Sequence, residues 1–237
     1  MISFIPGYFG YLGNQMFQYA AVRSLGLELD VPIYFPKEHQ INEVFNLTKM
    51  DNPTGEFFVY DEPSFNYIKI PRIAEDILLR GYFQSEKYFN NCKEVIKKDF
   101  TFKNPTSTLS NIDSISLHVR RGDYVAKSDY HPLCTMEYYE EALALMPNEE
   151  VVVFSDDIPW CKDKFKGERF VFSEGRSNSQ DLEYMSKCKH HIIANSSFSW
   201  WGAWLGNQEG TTIAPKKWLG DQDLGVKDRY CEGWITL

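Results

Sequence analysis

The sequence predicts an α/β protein whose carboxyl-terminal half is a doubly wound parallel sheet. Three observations carry that expectation. Short apolar strands alternate with helical segments from Ile115 to Ala214. Val151-Val152-Val153-Phe154 is a continuous apolar run of the kind buried on both faces of a parallel sheet. Three predicted strands end in polar text, where open parallel sheets place their ligands. The 237 residues suffice for one large domain or two compact ones. The linker-like run Asn104-Pro105-Thr106-Ser107-Thr108 sets the expected boundary, with domains at 1–104 and 109–237.

Each element has a local reason. After an opening strand and a turn-rich stretch, Asn14 serves as an N-cap, and Phe17, Ala20, Ala21 and Leu25 then repeat at helical spacing. Gly26 and Asp30-Val31-Pro32 weaken or end that helix, and Ile33-Tyr34-Phe35 reads as a short strand stopped by Pro36. Between about residues 40 and 75, Pro53, Gly55, Pro63 and Pro71 break aromatic-rich pieces into loops and short elements. Ser85 then caps a helix of about three turns, with Tyr88, Phe89, Cys92, Val95 and Ile96 on its apolar face. Past the linker, Ile115, Leu117 and Val119 alternate with Ser116, His118 and Arg120, so His118 and Arg120 share one face of a strand. A helix at Met136–Met146 capped near Thr135, the strand at Val151, a short strand at Arg169–Phe172, a helix at Asp181–Cys188, a strand at His191–Ala194, a helix at Ser199–Leu205 and a strand at Thr211–Ala214 complete the series.

Composition excludes several classes of function. With 43% hydrophobic and 24% charged residues the chain is globular rather than disordered or fibrous. A net charge of −8 gives no field for nucleic acid or an anionic bilayer. The 16% aromatic content suggests ring-lined clefts. Five cysteines, widely spaced and never paired as C-x-x-C, point to reduced thiols rather than a disulfide framework or a zinc site. The amino terminus lacks a leader pattern and no run of about 18 apolar residues occurs, so the expectation is a cytoplasmic protein with at most peripheral membrane contact.

The chemistry-bearing text lies at the strand ends. Arg120-Arg121-Gly122 can grip a phosphate through forked donors on a tight turn, or be a solvated pair. Asn195-Ser196-Ser197-Phe198 joins a strand to a helix, so its N–H groups and hydroxyls can hold an anion, or simply cap the helix. With the arginines it makes a candidate diphosphate clamp. Asp156 can accept paired N–H bonds from a guanine edge, or form the turn before Pro159. Arg121-Gly122-Asp123 as an adhesion tripeptide is disfavoured because a core strand feeds it. Asp221-Gln222-Asp223 reads as a surface turn before a metal site, and His190-His191 as a strand entry.

Taken together, the sequence resembles glycosyltransferase family 11, the α-1,2-fucosyltransferases. The resemblance rests on GYLGNQMFQYA, GYFQSEKYF, HVRRGDY, VVVFSDD and DLEYMSKCKHHIIANSSFSWWGAWL with its IAPKKW follower, spread in order over nearly the whole chain. It implies a GT-B-type fold of two facing Rossmann-like domains with a reduced amino-terminal one. The first would serve the acceptor side and the second would bind GDP-fucose, without a metal or other cofactor. Arg120 and Arg121 would hold the diphosphate, Asp156 would meet guanine, Asn195, Ser196, Ser197 and Phe198 would line the nucleotide, and Gly13 and Asn14 would reach the phosphate or sugar. Tyr11, where a second glycine is usual, and a shortened middle are departures on the acceptor side.

The reaction so implied is an inverting transfer of L-fucose to a glycan hydroxyl, the 2-hydroxyl of a terminal galactose on an oligosaccharide or glycolipid. Arg120 would stabilise the leaving phosphate. Asp123, His118, Asp181 and Glu183 are the candidate bases, with Asp123 preferred because it follows the arginines on a tight turn. A nucleotide- or glycan-binding module without turnover is the competing reading, and a two-carboxylate glycoside hydrolase a third.

Overall fold

The computed structural model describes residues 1–5, 10–47, 55–72, 76–106, 112–206, 209–220 and 226–237. The chain forms two compact units, Met1–Asn104 with Leu224–Cys231, and Pro105–Asp223 with Glu232–Leu237. The returning segment that joins the first unit has no counterpart in the simple division at the linker.

The first unit contains β1 (Ile2–Phe4), α1 (Leu12–Leu29), α2 (Ile41–Val44), β2 (Phe58–Asp61), β3 (Ile77–Arg80) and α3 (Lys93–Asp99). Its sheet is parallel, in the order β1-β3-β2. The central strand β3, the run Ile-Leu-Leu-Arg, is absent from the elements the sequence predicts. Ile33-Tyr34-Phe35, expected as a strand, makes only a single parallel bridge from Ile33 to Ile2. Helix α1 starts earlier than expected. Tyr11 is extended at its head, and its carbonyl accepts from Asn14 and Gln15 at 2.9 and 3.2 Å, so Asn14 lies inside the first turn and is not the cap. The helix also runs through Gly26, where a Cβ would sit 2.1 Å from Ile33 Cγ2. That glycine permits a close approach instead of ending the helix.

The segment from Ser85 is not one helix. Ser85 caps a 3-10 turn at Glu86–Tyr88, a second turn follows at Asn90–Cys92, and α3 begins only after Cys92. Non-helical backbone at Phe89 and Cys92 resets the winding and turns both side chains inward. The aromatic richness is spent here on core. Phe4, Phe17, Tyr19, Phe35, Phe45, Phe83 and Phe89 are fully buried and meet largely edge-on or tilted.

The second unit contains β4 (Ile112–Val119), α4 (Gly122–Ala126), α5 (Met136–Ala144), β5 (Glu150–Ser155), α6 (Ile158–Lys164), β6 (Phe170–Phe172), α7 (Asn178–Lys187), β7 (Cys188–Ile192), α8 (Ser197–Leu205), β8 (Thr212–Ala214) and β9 (Ile235–Thr236). All strands are parallel, in the order β6-β5-β4-β7-β8-β9. From β4 the chain winds outward through β5 and β6, crosses back, and continues through β7, β8 and β9. The direction therefore reverses between β4 and β7, the place where such sheets open a crevice.

Helices cover both faces. Ile115, Leu117, Val119, Val151 and Val153 pack with Tyr138, Tyr139 and Ala142 of α5 and Cys161 of α6. Val152 and Phe154 pack with Met185 and Tyr184 of α7 and Phe198 of α8. The expected strand near His191 lies three residues earlier, and Asp157, whose side chain accepts from Trp160 N–H, caps α6. Among the described residues no helix is long and apolar enough to cross a membrane.

Candidate active site

Strand register brings the polar ends together. Val119 pairs with Ser155 and Leu117 with Ile192, so one register carried forward sets Arg120 level with Asp156 and the other sets it level with Asn195. Arg120 is held by two carboxylates. Its Nη1 lies 2.8 Å from Asp156 Oδ2, its Nη2 lies 2.5 Å from Asp123 Oδ1, and its guanidinium stands over the Tyr124 ring. Only 23% of this side chain is exposed, unlike a solvated surface arginine.

Arg121 turns away from Arg120. Its Nε donates to Asp157 Oδ2 at 3.0 Å and its guanidinium stacks 4.3 Å above Trp160, both on the α6 side. Its backbone N–H donates to Asp156 Oδ1 at 2.9 Å. The two guanidinium groups are thus not brought together, and both Asp156 oxygens are engaged. Gly122 makes this possible, since a Cβ there would come within 2.3 Å of Asp156 Oδ2. Asp123 opens α4 and also faces Lys127 Nζ at 3.7 Å. The Arg-Gly-Asp tripeptide is therefore built into a helix head, not displayed on a projecting loop.

His118 is buried on the α7/α8 side, 5.8 Å from the Phe198 ring. Burial and the neighbouring Arg120 charge hold its pKa down at about 3, so it is neutral at physiological pH. Asn195 is buried with its amide turned inward, donating to Pro132 and Trp218 carbonyls at 2.9 and 3.1 Å. Ser196 caps α8 by accepting from Phe198 N–H, and Ser197 is the first residue of that helix. The amino terminus of α8 thus begins at the carboxyl end of β7, beside the crevice.

Two candidate bases have other engagements. Glu183 is buried, and both its oxygens accept from Thr106 N–H at 2.9 and 3.1 Å. Asp181 accepts from Ser173 Oγ at 2.5 Å behind the end of β6, and burial raises its pKa. His190 and His191 are structural, bonding Thr211 N–H and Ser116 Oγ. Among the described residues no three His, Cys, Asp or Glu side chains gather as metal ligands would, and Asp221 and Asp223 lie outside the described residues.

In the first unit, Gly13 and Asn14 sit in the opening turn of α1, and Asn14 Oδ1 accepts from Gln84 Nε2 at 2.7 Å. Gln84 Oε1 in turn accepts from Arg229 Nη1 at 2.5 Å. Gln84 follows β3 on a turn in which Phe83 is left-handed (φ 52°) and Glu62 accepts from Tyr82 and Phe83 N–H at 2.6 and 2.9 Å. Sequence reasoning missed Glu62, Gln84 and Arg229 as polar partners. Gln84 lies inside the GYFQSEKYF motif, but a lone arginine at position 229 carries no local signal.

Residues 7–237 match the sequence profile of Glycosyl transferase family 11. An alpha-1,2-colitosyltransferase of Escherichia coli is 35% identical, with 96% of each chain covered. The O-antigen biosynthesis glycosyltransferase WbnK of Escherichia coli is 27% identical over 96% of this chain and 98% of its own. Galactoside alpha-(1,2)-fucosyltransferase 2 of Sus scrofa is 25% identical over 86% of this chain and 70% of its own. In fold, the chain is similar to the fucosyltransferase NodZ from Bradyrhizobium, with a TM-score of 0.55, 13% identity, and 86% and 92% of the two chains covered.

Proposed function

The chain belongs to glycosyl transferase family 11, and from this we propose that it transfers L-fucose from GDP-β-L-fucose to a glycan hydroxyl with inversion, in a GT-B-type arrangement. The acceptor in this reading is the 2-hydroxyl of a terminal galactose. The observation that carries the proposal is Arg120, held between Asp123 and Asp156 at the switch point beside the head of α8.

In the reaction the acceptor oxygen attacks the anomeric carbon as the bond to phosphate breaks. The electron pair leaves with GDP, and the acceptor proton passes to a base. Arg120 and the N–H groups at the head of α8 receive the charge that grows on the leaving phosphate, which is why no metal is required in this reading. The two carboxylates fix the guanidinium plane before the donor arrives. Asp156 acts here as the group that orients Arg120, and a guanine contact would require it to release one bond. Asp123 is the preferred base in this reading: Arg120 holds its Oδ1, and with inversion its carboxylate must meet the acceptor hydroxyl on the face of the sugar opposite the leaving phosphate. His118, with a pKa near 3, is too weak a base and serves as a neutral wall. Arg121 secures the loop from the α6 side.

Similarity to a colitosyltransferase supports a second donor. Colitose is the 3-deoxy counterpart of fucose, so one hydroxyl separates the two readings. Incubating the protein with GDP-fucose or GDP-colitose and a β-galactoside, and measuring GDP release and the glycosylated product, decides between them. The expected outcome is acceptor-dependent GDP release with an α-1,2-linked product. Binding of GDP without any turnover would favour the binding-module reading.

A further inference from the structure

We propose that the exposed ring of Tyr130 is a stacking platform, built into the second unit, for a sugar ring of the glycan acceptor. This rests on the reading above, in which the acceptor is a β-galactoside.

The ring stands apart from the others of its unit. Tyr130 is 48% exposed, whereas every other described Phe, Tyr or Trp side chain of the second unit is buried or half-buried. A single exposed ring on a free loop would carry no meaning, but the backbone of this one is fixed. Its N–H donates to the Lys127 carbonyl and its own carbonyl accepts from Gly220 N–H, both at 3.0 Å. Gly220 presses so closely that a Cβ there would stand 1.9 Å from the Asp129 carbonyl oxygen. Asn195, buried just past β7, donates to the carbonyls of Pro132 and Trp218 at 2.9 and 3.1 Å, and so ties the same two segments together. One buried amide at the switch point therefore sets where the loop lies, as a preformed site requires.

Three ring contacts connect Tyr130 to Arg120. The guanidinium lies 5.2 Å from the centre of the Tyr124 ring, Tyr124 stacks on His131 at 4.3 Å with the planes 8° apart, and His131 meets Tyr130 nearly at right angles at 4.7 Å. Tyr124 is anchored in turn, its hydroxyl donating to the Asn195 carbonyl at 3.2 Å.

Position selects the ligand. In a doubly wound sheet the nucleoside extends from the switch point over the strand next to the first, here β5. The Tyr130 loop is bound instead to Asn195 and Gly220, which follow β7 and β8. Two rings stand between Arg120 and Tyr130, so the sugar bonded to the phosphate falls short of the platform and the acceptor reaches it. A pyranose suits such a ring. One face of β-galactose turns several C–H bonds the same way, and the electron-rich face of an aromatic ring attracts them while the hydroxyls round the rim keep their water.

Tyr130→Ala and Tyr130→Phe test the platform, with lactose as acceptor and whichever of GDP-fucose and GDP-colitose gives more GDP release with wild type. Tyr130→Ala should raise the lactose KM roughly tenfold, the order lost when a tyrosine that carries a contact is truncated. Donor KM and the rise in Tm on adding GDP should stay at their wild-type values. Tyr130→Phe keeps the ring and should keep the lactose KM. Because the side chain is exposed, neither change should lower Tm by itself. Saturation-transfer NMR of lactose on the GDP complex reads the contact without turnover: sugar C–H signals seen with wild type and Tyr130→Phe should be lost with Tyr130→Ala.

An unchanged lactose KM in Tyr130→Ala overturns the platform, as does a Tyr130→Phe variant equally impaired, which would give the role to the hydroxyl. A donor KM that rises instead, with a weaker GDP shift, would put guanine or the donor sugar on the ring and overturn it too. If wild type turns over neither sugar nucleotide, the proposed reaction falls while the NMR still decides. Signals lost only in Tyr130→Ala then support the platform, and signals alike in both variants, or absent from wild type, overturn it.

Discussion

At the scale of single residues, Arg120 is distinguished by its company. A lone exposed ion pair contributes about 0 to 1 kcal/mol, whereas this guanidinium is three-quarters covered and bonded to two carboxylates through separate nitrogens. Lysine would keep the charge but could not hold Asp123 and Asp156 in one plane. Arg120→Lys is therefore expected to remain folded and to lose roughly two decades or more in kcat, with a smaller change in donor KM. Steady-state kinetics with circular dichroism checks this, and a folded variant within twofold of wild type would place the leaving phosphate elsewhere. Arg121 is the opposite case. Sequence adjacency suggested a matched pair, but successive residues leave a strand in opposite directions, and Trp160 with Asp157 captures the second guanidinium.

At the scale of elements, helices α7 and α8 meet at Gly202, where a Cβ would stand 2.8 Å from Met185 Cβ. Alanine in a helix interior is favoured over glycine by about 1 kcal/mol, while forcing a methyl group into a packed core costs about 1–3 kcal/mol. The clash is with a Cβ that cannot swing aside, so packing outweighs propensity. Gly202→Ala should lower Tm by a few degrees, as a thermal melt would show, and a rise would mean that the helices separate freely. The same contest between local signal and packing explains what could be read in the sequence. Strands β4 and β5 were legible from alternation and from an apolar run, and the crevice from the polar text after them. Strand β3 was not, because four residues, preceded by Glu75-Asp76 and followed by Gly81-Tyr82-Phe83, carry too short a period to separate strand from loop. Helix α4 was hidden by reading Arg-Gly-Asp as a turn alone, and the break in the segment after Ser85 by an apolar face that 3-10 turns reproduce as well as a helix does. Of the candidate site, the proximity of Arg120, Asp123 and Asp156 could be anticipated because strand ends are predictable places. Arg229 was not, since it reaches Gln84 across 145 positions.

At the scale of the whole molecule, the six-stranded order with its reversal between β4 and β7 is the arrangement that binds nucleotides at the switch point. GDP should raise Tm, by the equivalent of about 2.7 kcal/mol at a hundredfold excess over Kd, with ADP far less effective and a chelator leaving activity unchanged. Equal shifts from ADP and GDP in thermal melts would remove the guanine preference, and activity lost to a chelator and restored by manganese would bring a metal into the reaction. The path of the chain has a further consequence. Residues 226–231 complete the first unit with Arg229 and Asp228, and β9 then adds the last strand of the second, its Leu237 carbonyl accepting from Lys216 N–H at 2.5 Å. Domains made on the ribosome ordinarily fold in turn, the amino-terminal one first, while the rest is still being added. Here the first unit must wait, Gln84 without its cation, until residues past 231 have emerged, although the rest of that unit is made by residue 104. Both units are closed by the same short stretch, residues 226–237, so a nascent chain that has made only residues 1–223 holds two incomplete folds at once and depends on protection from aggregation for that long.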